Sequence, residues 1–145
     1  MLLRKGMKIG KKINDIVVGE RLQITEKIED KDLLLYLGLT NDSNPLYVQH
    51  DYAAETSYKK PIVPTIMLNG IITSAISKHM PGPGSHIREQ HLIYLEPVYH
   101  YETIEILFEV QQIDMHLNIV EILVNAYKNK NIPVIQGIIK VLPPN

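Results

Sequence analysis

The pattern of apolar and polar positions predicts mainly helices in the first half of the chain. Residues 17–27 alternate loosely between the two classes, which favours a first strand over a helix. Asp30 then precedes the run KDLLLYLGL, whose apolar stripe predicts a helix that ends near Gly38. A loop follows, and a short helical patch is predicted at about 49–57.

The longest helix is predicted over residues 66–80. At about 100° per residue, one wide arc of this helix carries only apolar side chains, namely Met67, Leu68, Ile71, Ile72, Ala75 and Ile76. The opposite side is small or polar, with Asn69, Gly70, Thr73, Ser74 and Ser77. We therefore expect one face to pack in a core and the other to allow close approach by a second backbone or a ligand.

The rest of the chain, after Gly84, is predicted to be strand. Runs rich in Ile, Val, Leu and Tyr cover residues 86–98, 103–113, 118–128 and 133–142. Short polar turns join them, and such connections favour antiparallel neighbours. The run at 103–113 alternates so regularly from Thr103 to Val110 that one of its faces is expected to be largely polar. Together these elements predict an α+β domain in which one long helix packs on a curled antiparallel sheet.

Composition narrows the class of protein. A length of 145 residues with 45% hydrophobic and 21% charged residues is typical of one globular domain, spanning 1–145. The absence of cysteine excludes disulfides, thiolate catalysis and Cys-ligated zinc. The net charge of −1 argues against a general nucleic-acid binder. No apolar run is long enough for a membrane span or a signal peptide, so we expect no membrane partner. The absence of cysteine fits a reducing cytoplasm, which is the expected location.

Two further features bear on ligands. Residues 1–12 form a basic arm that contains Arg4, Lys5, Lys8, Lys11 and Lys12. This arm is either a solvated terminus or a contact for the phosphates of a nucleotide-bearing ligand. The histidines are scattered without metal-ligand spacing, and no phosphate-binding glycine motif is present. We therefore expect neither a metal nor a cofactor.

The most informative stretch is the loop between the first helix and the long helix. Asp42, Asn44, Pro45 and Tyr47 lie close together there, and short polar side chains of this kind favour hydrogen-bonded turns. One interpretation is a plain turn in which Asp42 or Asn44 caps a helix. The other is a catalytic loop in which Asp42 activates a water, provided that burial raises its pKa towards neutrality. Asn44 would then orient that carboxylate.

The start of the long helix offers a second component. Backbone N–H groups in a first helical turn lack intrahelical acceptors and stabilise a developing oxyanion. Thr65 and Ile66 supply such groups, whereas Pro64 has no N–H to give. Together with Asp42, these amides suit carbonyl or thioester chemistry.

Several spaced segments carry a family resemblance. The runs NDSNPLY, DYAAETSYKKPIV and PGPGS, and a strand ending in LEPVY, resemble the MaoC-like dehydratases, more specifically the (R)-specific enoyl-CoA hydratases of the hot-dog fold. The similarity covers about residues 36–99. It implies a helix wrapped by a curved antiparallel sheet, a dimer, and an acyl-thioester tunnel near the dimer boundary. The reaction that it implies is reversible addition of water across a 2-enoyl thioester of CoA or an acyl carrier protein.

The resemblance also assigns roles by position. Asp42 falls on the catalytic Asp and Asn44 on the family Asn, while Tyr47 stands where the family has its catalytic His. The Thr65 amide becomes the oxyanion donor. An unperturbed Tyr titrates near 10 and His near 6.5, a mismatch of roughly 5 kcal/mol for a general base at neutral pH. Tyr47 is therefore expected to act as a weak acid or a positioning group, with His50 as a nearby alternative base.

At the helix start, Pro64 replaces a second His and Thr65 replaces a Gly of the family pattern. Tyr101 and Glu102 stand where family members often have Gly-Asp. Three functions stay open at this point. The chain is an (R)-specific 2-enoyl-CoA hydratase with an atypical Asp/Tyr site, a catalytically impaired acyl-CoA-binding or regulatory subunit, or a single-carboxylate acyl-CoA thioesterase. The expected assembly is a homodimer, or a heterodimer with an active homologue.

Overall fold

The computed structural model describes residues 8–145. The elements are a 3-10 turn at Ile13–Asp15, strand β1 (Arg21–Lys27), helices α1 (Asp30–Thr40), α2 (Pro45–Val48), α3 (His50–Ala54) and α4 (Thr65–Lys78), and strands β2 (His86–Tyr94), β3 (Thr103–Asp114), β4 (Ile119–Lys128) and β5 (Ile132–Leu142). The α+β class and the order of the main elements are confirmed.

The strands form one antiparallel sheet in the order β1-β3-β4-β5-β2. Register shifts interrupt the ladders at Ile87/Glu89, Val110/Gln112 and Ala126/Tyr127. Bulges of this kind bend a strand and increase its twist. They let the sheet curve around α4.

Helix α4 presents its predicted apolar arc to the concave side of the sheet. Leu68, Ile72, Ala75 and Ile76 are buried and belong to the same core cluster as Phe108 of β3. The predicted alternation of β3 is also confirmed. Its buried positions include Ile104, Ile106 and Phe108, and the residues between them face outward.

Two predicted strand ends are wrong. The first strand begins at Arg21 rather than 17, because Gly19 has a φ of 96° and the Val17 N–H donates to the Glu20 carboxylate at 2.9 Å. These contacts make a turn where the pattern suggested strand. The second strand ends at Tyr94 rather than 98. Pro97 lies just beyond and has no N–H for the ladder.

The first helix is longer than predicted. It continues through Gly38 to Thr40 and ends where Asn41 adopts a left-handed conformation, with a φ of 55°. Asparagine tolerates this conformation better than most residues. The sequence pattern pointed to the glycine as the terminator, whereas the asparagine three positions later has that role.

The described part of the basic arm is bound to the domain. Gly10 N donates to Pro83 O at 2.8 Å and Lys11 N donates to Pro81 O at 2.9 Å. A Cβ at Gly10 would lie 2.4 Å from Pro81 O, so only glycine fits this close approach. Lys11 also pairs with Glu20 at 3.3 Å. Arg4 and Lys5 of the predicted arm lie outside the described residues.

Within residues 8–145, no helix combines the length and apolar character needed to cross a bilayer.

Candidate active site

The loop between α1 and α2 is organised by Asn44. The Asn44 side chain Oδ1 accepts a hydrogen bond from Leu46 N at 3.0 Å, and Pro45 follows at the first helical position. Asn44 is therefore the N-cap of α2, as one of the two interpretations predicted. The short helix α2 was not predicted as an element, because four residues are too few to show a helical period.

Asp42 is held at both carboxylate oxygens. Its Oδ2 accepts a 2.5 Å hydrogen bond from the Tyr36 hydroxyl, and its Oδ1 accepts one from Asn44 N at 3.0 Å. Asn44 thus orients the carboxylate through its backbone amide, while its side chain is occupied in the cap. These bonds stabilise the ionised form of Asp42.

The pKa of Asp42 is lowered from its ordinary value of 3.8, first by the Tyr36 hydroxyl and second by the Asn44 amide, against a smaller opposing effect of burial. The condition set for water activation, that burial raises the pKa of Asp42 towards neutrality, is therefore not met in this chain. The carboxylate is only partly buried, and two donors stabilise its charge.

Sequence reasoning missed Tyr36. Its place in the apolar stripe of α1 suggested a packing role, whereas its hydroxyl points back to the loop that follows the helix. The bond to Asp42 is the main cause that raises the pKa of Tyr36 above 10.0. A tyrosine five residues before the left-handed Asn41 is a signal that could have indicated this contact.

Tyr47 lines a cavity of about 570 Å³. The walls include Leu33 and Leu37 of α1, together with His50 and His100. The Tyr47 backbone N–H donates a hydrogen bond to Asn44 O at 3.0 Å. His50, the alternative base, therefore lies around the same cavity as Tyr47.

Backbone contacts bring the segment between β2 and β3 to this cavity. Ile62 N donates to Leu46 O at 3.2 Å, and Ile62 forms an isolated bridge with Tyr99. Val63 N also donates to Val98 O at 2.8 Å. Ile62 therefore contacts Leu46, which precedes Tyr47, on one side and Tyr99, which precedes His100, on the other.

The Lys128 side chain is hydrogen-bonded to the segment between β2 and β3. It is 8% exposed, and its Nζ donates to Pro97 O at 2.5 Å and to Glu102 Oε1 at 3.3 Å. Glu102 in turn accepts from Tyr99 N at 2.7 Å. The Lys128 ammonium lies 5.1 Å from the centroid of the Tyr99 ring. At the family's usual Gly position, Tyr101 adopts a φ of 69°.

The start of α4 leaves amides available. Pro64 is buried at the N-cap, and its carbonyl accepts from Met67 N at 3.0 Å. Within the described residues, neither Thr65 N nor Ile66 N donates a hydrogen bond, and both side chains are exposed. Neither residue lines the Tyr47 cavity of the single chain. The pairing of Asp42 with the Thr65 amide stays a prediction.

The small face of α4 contributes to a second cavity of about 360 Å³. Gly70 and Ser74 lie on its wall with Ile24 of β1 and Leu35 of α1. The predicted close approach on this side of α4 thus corresponds to an open groove. Across residues 8–145, no cluster of three or more His, Asp or Glu side chains is arranged to hold a metal ion.

Comparison with known proteins decides the family. A model of the MaoC like domain matches residues 12–130. The chain belongs to the MaoC-like family. The (R)-specific enoyl-CoA hydratase of Rhodospirillum rubrum is 33% identical over 84 residues, which cover 58% of each chain. The 3-hydroxybutyryl-CoA dehydratase of Methylorubrum extorquens is 26% identical over 99 residues, covering 68% of this chain and 63% of that protein. The chain matches less than two thirds of the length of these relatives.

Solved structures confirm the hot-dog fold. The unliganded R-hydratase PhaJ1 from Pseudomonas aeruginosa superposes with a TM-score of 0.85 at 25% identity, covering 94% of this chain and 87% of that one. The ChsH1-ChsH2 complex from Mycobacterium tuberculosis gives 0.77 at 17% identity over 88% of this chain and 98% of the other. The predicted family and fold are therefore confirmed, and the family is one of hydratases and dehydratases.

Proposed function

We propose that this MaoC-like chain is an (R)-specific hydratase that reversibly adds water to a 2-enoyl thioester of CoA or an acyl carrier protein. The observation that carries the proposal is the Asp42 carboxylate, which Tyr36 and the Asn44 amide hold in place in the loop before α4. The matching relatives named as hydratase and dehydratase support this reaction class.

Each proposed role follows from the chemistry of addition. Asp42 accepts a hydrogen bond from the water and draws away its proton as the oxygen bonds to C3 of the enoyl group. The electrons of the double bond move onto the thioester oxygen, where the free N–H groups of Thr65 and Ile66 stabilise the negative charge. As the enolate collapses, Asp42 returns the proton to C2, so that the carboxylate is ionised again. Tyr47 positions the water or donates to the enolate.

A second function is favoured by the same site. Asp42 has a lowered pKa and is therefore a weak base, and position 47 carries a phenol instead of an imidazole. Both features suit an acyl-CoA-binding or regulatory subunit without its own turnover. Such a subunit would pair with an active homologue. A heteromeric complex among the structural neighbours makes that arrangement a reasonable alternative to a homodimer.

One assay separates these functions. The purified chain is incubated with a short 2-enoyl-CoA, while the conjugated absorbance and the release of free thiol are followed in parallel. Loss of absorbance without thiol release supports hydration, and thiol release indicates a thioesterase. Saturable binding with no turnover supports the regulatory subunit. Asp42→Asn is expected to abolish hydration, whereas Asp51→Asn, which changes an exposed carboxylate on α3, serves as the matched control.

We also propose that residues 1–145 form one domain and that the protein is a cytoplasmic homodimer. Sedimentation of the purified chain, alone and with a co-expressed homologue, distinguishes a homodimer from a heteromeric assembly.

A further inference from the structure

The Tyr47 cavity is an open cleft whose walls are rich in aromatic rings. Its volume of about 570 Å³ is ordinary for a small-molecule site. The aromatic side chains around it are Tyr47, His50, Tyr99, His100 and Tyr101. The cleft is also open to water, since Tyr101 is 57% exposed and Leu34 on the α1 wall is 69% exposed. Such a surface suits a planar ligand group that keeps part of its edge in solvent.

Lys60 supplies a positive charge at the wall of this cavity. Its ammonium lies 4.7 Å from the centroid of the Tyr99 ring. Among residues 8–145, Lys60 forms no ion pair with a carboxylate. The Lys128 ammonium lies 5.1 Å from the same ring, but it is paired with Glu102 at 3.3 Å. Lys60 is therefore available to pair with an anionic ligand.

The other polar groups of the cavity are a neutral imidazole and one carboxylate. Burial lowers the pKa of His100 from 6.5; Asp30 opposes this effect and His50 adds to it, so the His100 ring carries no charge at pH 7. The Asp30 Oδ2 accepts a 2.6 Å hydrogen bond from the Tyr101 hydroxyl. Its Oδ1 is 3.9 Å from His100 Nδ1, beyond hydrogen-bond reach. That oxygen can accept a hydrogen bond from a ligand hydroxyl or amino group.

An adenine nucleotide has the chemistry that matches these features. Its base offers a flat π surface, and stacking of bases on aromatic side chains is favourable. Its phosphates pair with an ammonium, and its ribose hydroxyls and amino group donate to a carboxylate. CoA carries such a nucleotide at the end remote from its thioester, whereas an acyl carrier protein presents its thioester on a phosphopantetheine arm without a nucleotide.

The position of the cavity also suits the remote end of CoA. Neither Asp42 nor the amides of Thr65 and Ile66 belong to its lining, so the reacting carbons have their place outside it. Tyr47, however, lies on the wall only five residues after Asp42. A ligand that extends from the cavity past Tyr47 therefore reaches the loop that holds the carboxylate. The pantetheine arm of CoA provides this kind of extension.

We propose that the Tyr47 cavity binds the adenine nucleotide of CoA, with Lys60 paired to its phosphates and Asp30 accepting from its ribose or amino group. This inference rests on the proposed function and narrows its substrate, because the carrier is then CoA and not an acyl carrier protein. The nucleotide is remote from the reacting bond and binds alike in the ground and transition states. Its contribution is expected in KM more than in kcat.

The first test measures binding by calorimetry and needs no turnover. The full chain is titrated with adenosine bisphosphate, which is the nucleotide end of CoA without its arm, and separately with phosphopantetheine, the arm that both carriers share. We expect saturable binding of adenosine bisphosphate, which CoA displaces and phosphopantetheine does not. The affinity should fall with added salt, because exposed ion pairs are screened.

Substitution of Lys60 tests the phosphate contact. Lys60→Gln should weaken the binding of adenosine bisphosphate by about fivefold, the loss expected for one exposed ion pair, and should reduce the dependence on salt. Lys59→Gln changes the neighbouring exposed lysine, which does not line the cavity, and serves as the matched control. This control should keep the wild-type affinity.

A second pair of variants adds a negative charge instead of removing a positive one. Leu34→Glu places a carboxylate at the cavity wall and should weaken the binding of adenosine bisphosphate by repulsion of its phosphates. Leu39→Glu adds the same charge to α1 outside the cavity and should leave the affinity unchanged. Leu39 is 85% exposed, and both substitutions are on the surface of the helix, so we expect both variants to fold.

Kinetics test the choice of carrier. A short 2-enoyl thioester of CoA is compared with the same acyl group on phosphopantetheine. The KM should be about tenfold higher for the phosphopantetheine thioester, with little change in kcat. Lys60→Gln should raise the KM for the CoA thioester and leave that for the phosphopantetheine thioester unchanged.

The outcomes separate this inference from the proposed function. The inference is overturned if adenosine bisphosphate shows no saturable binding, or if Lys60→Gln and Lys59→Gln have equal affinities. An active wild type with the same KM for both thioesters also overturns it, and leaves the hydratase proposal intact. Binding that depends on Lys60 in a chain without turnover supports the nucleotide site and overturns the proposed hydration alone.

Discussion

The Tyr36 hydroxyl donates a 2.5 Å hydrogen bond to Asp42 Oδ2, linking the last turns of α1 to the loop that follows it. The bond crosses the left-handed residue Asn41, which reverses the chain at the helix end. It fixes the carboxylate relative to a helix rather than leaving it on a free loop. It also stabilises the charge of Asp42, which reduces its strength as a base.

Removal of this bond should be visible in the titration of Asp42. Tyr36→Phe is expected to raise the pKa of Asp42 towards 3.8, measured from the carboxyl 13C shift. Because the folded pKa is the lower one, the bond stabilises the fold above the unfolded pKa, and this contribution is lost as pH falls through the folded pKa. The variant should thus be less stable than wild type at pH 7, and the difference should shrink as the pH falls through the folded pKa of Asp42.

Tyr52→Phe is a suitable control for that experiment, since Tyr52 is half-exposed on α3. An unchanged Asp42 titration in Tyr36→Phe would show that the hydroxyl does not hold the carboxylate in solution.

The cap made by Asn44 predicts a loss of stability that is separate from catalysis. Asn44→Ala removes the side-chain acceptor for Leu46 N and should reduce the free energy of unfolding by about 0.5–2 kcal/mol in urea denaturation. Asn44→Ser keeps a capping oxygen and should retain most of the stability. Equal losses in the two variants would argue against the capping role.

The Lys128 network predicts a larger effect. Lys128→Met leaves the partly buried Glu102 without its cation and should cost about 3 kcal/mol in unfolding free energy. Lys140→Met removes an exposed pair with Glu89 and should cost at most about 1 kcal/mol. If the two variants lose equal stability, the buried network is not a special support for the segment beside His100.

The pH dependence of stability reports on His100. Its folded pKa lies below 6.5, so the unfolded chain takes up the proton first on acidification. Stability is therefore expected to fall as the pH drops through the unfolded value towards the folded one. His100→Gln should flatten the melting temperature between pH 5 and 7, whereas His116→Gln should reproduce the wild-type slope.

Tyr47→His tests the role of position 47. Restoring an imidazole at the family's usual position should raise hydratase activity. An unchanged or lower rate in the single variant would show that the assigned role at this position is wrong. The comparison uses the 2-enoyl-CoA assay with all variants at equal concentration.

Periodicity was sufficient for the parts of the fold that depend on burial. Burial of one face explains both the apolar arc of Leu68, Ile72 and Ile76 on α4 and the alternation of β3. The site was less accessible to such reasoning. The contacts of Tyr36 with Asp42 and of Lys128 with Glu102 depend on a left-handed residue and on strand register, and neither appears as a period in the sequence.

The side chain and the backbone amide of Asn44 have different contacts, and this difference has an evolutionary consequence. Its side chain is engaged in building the loop, while only its main chain touches the acidic group. Selection for a folded loop alone would preserve a capping side chain at this position in a descendant that no longer turns over any substrate. The signature by which such a chain is recognised can therefore outlast the chemistry, and its presence measures ancestry better than it measures rate.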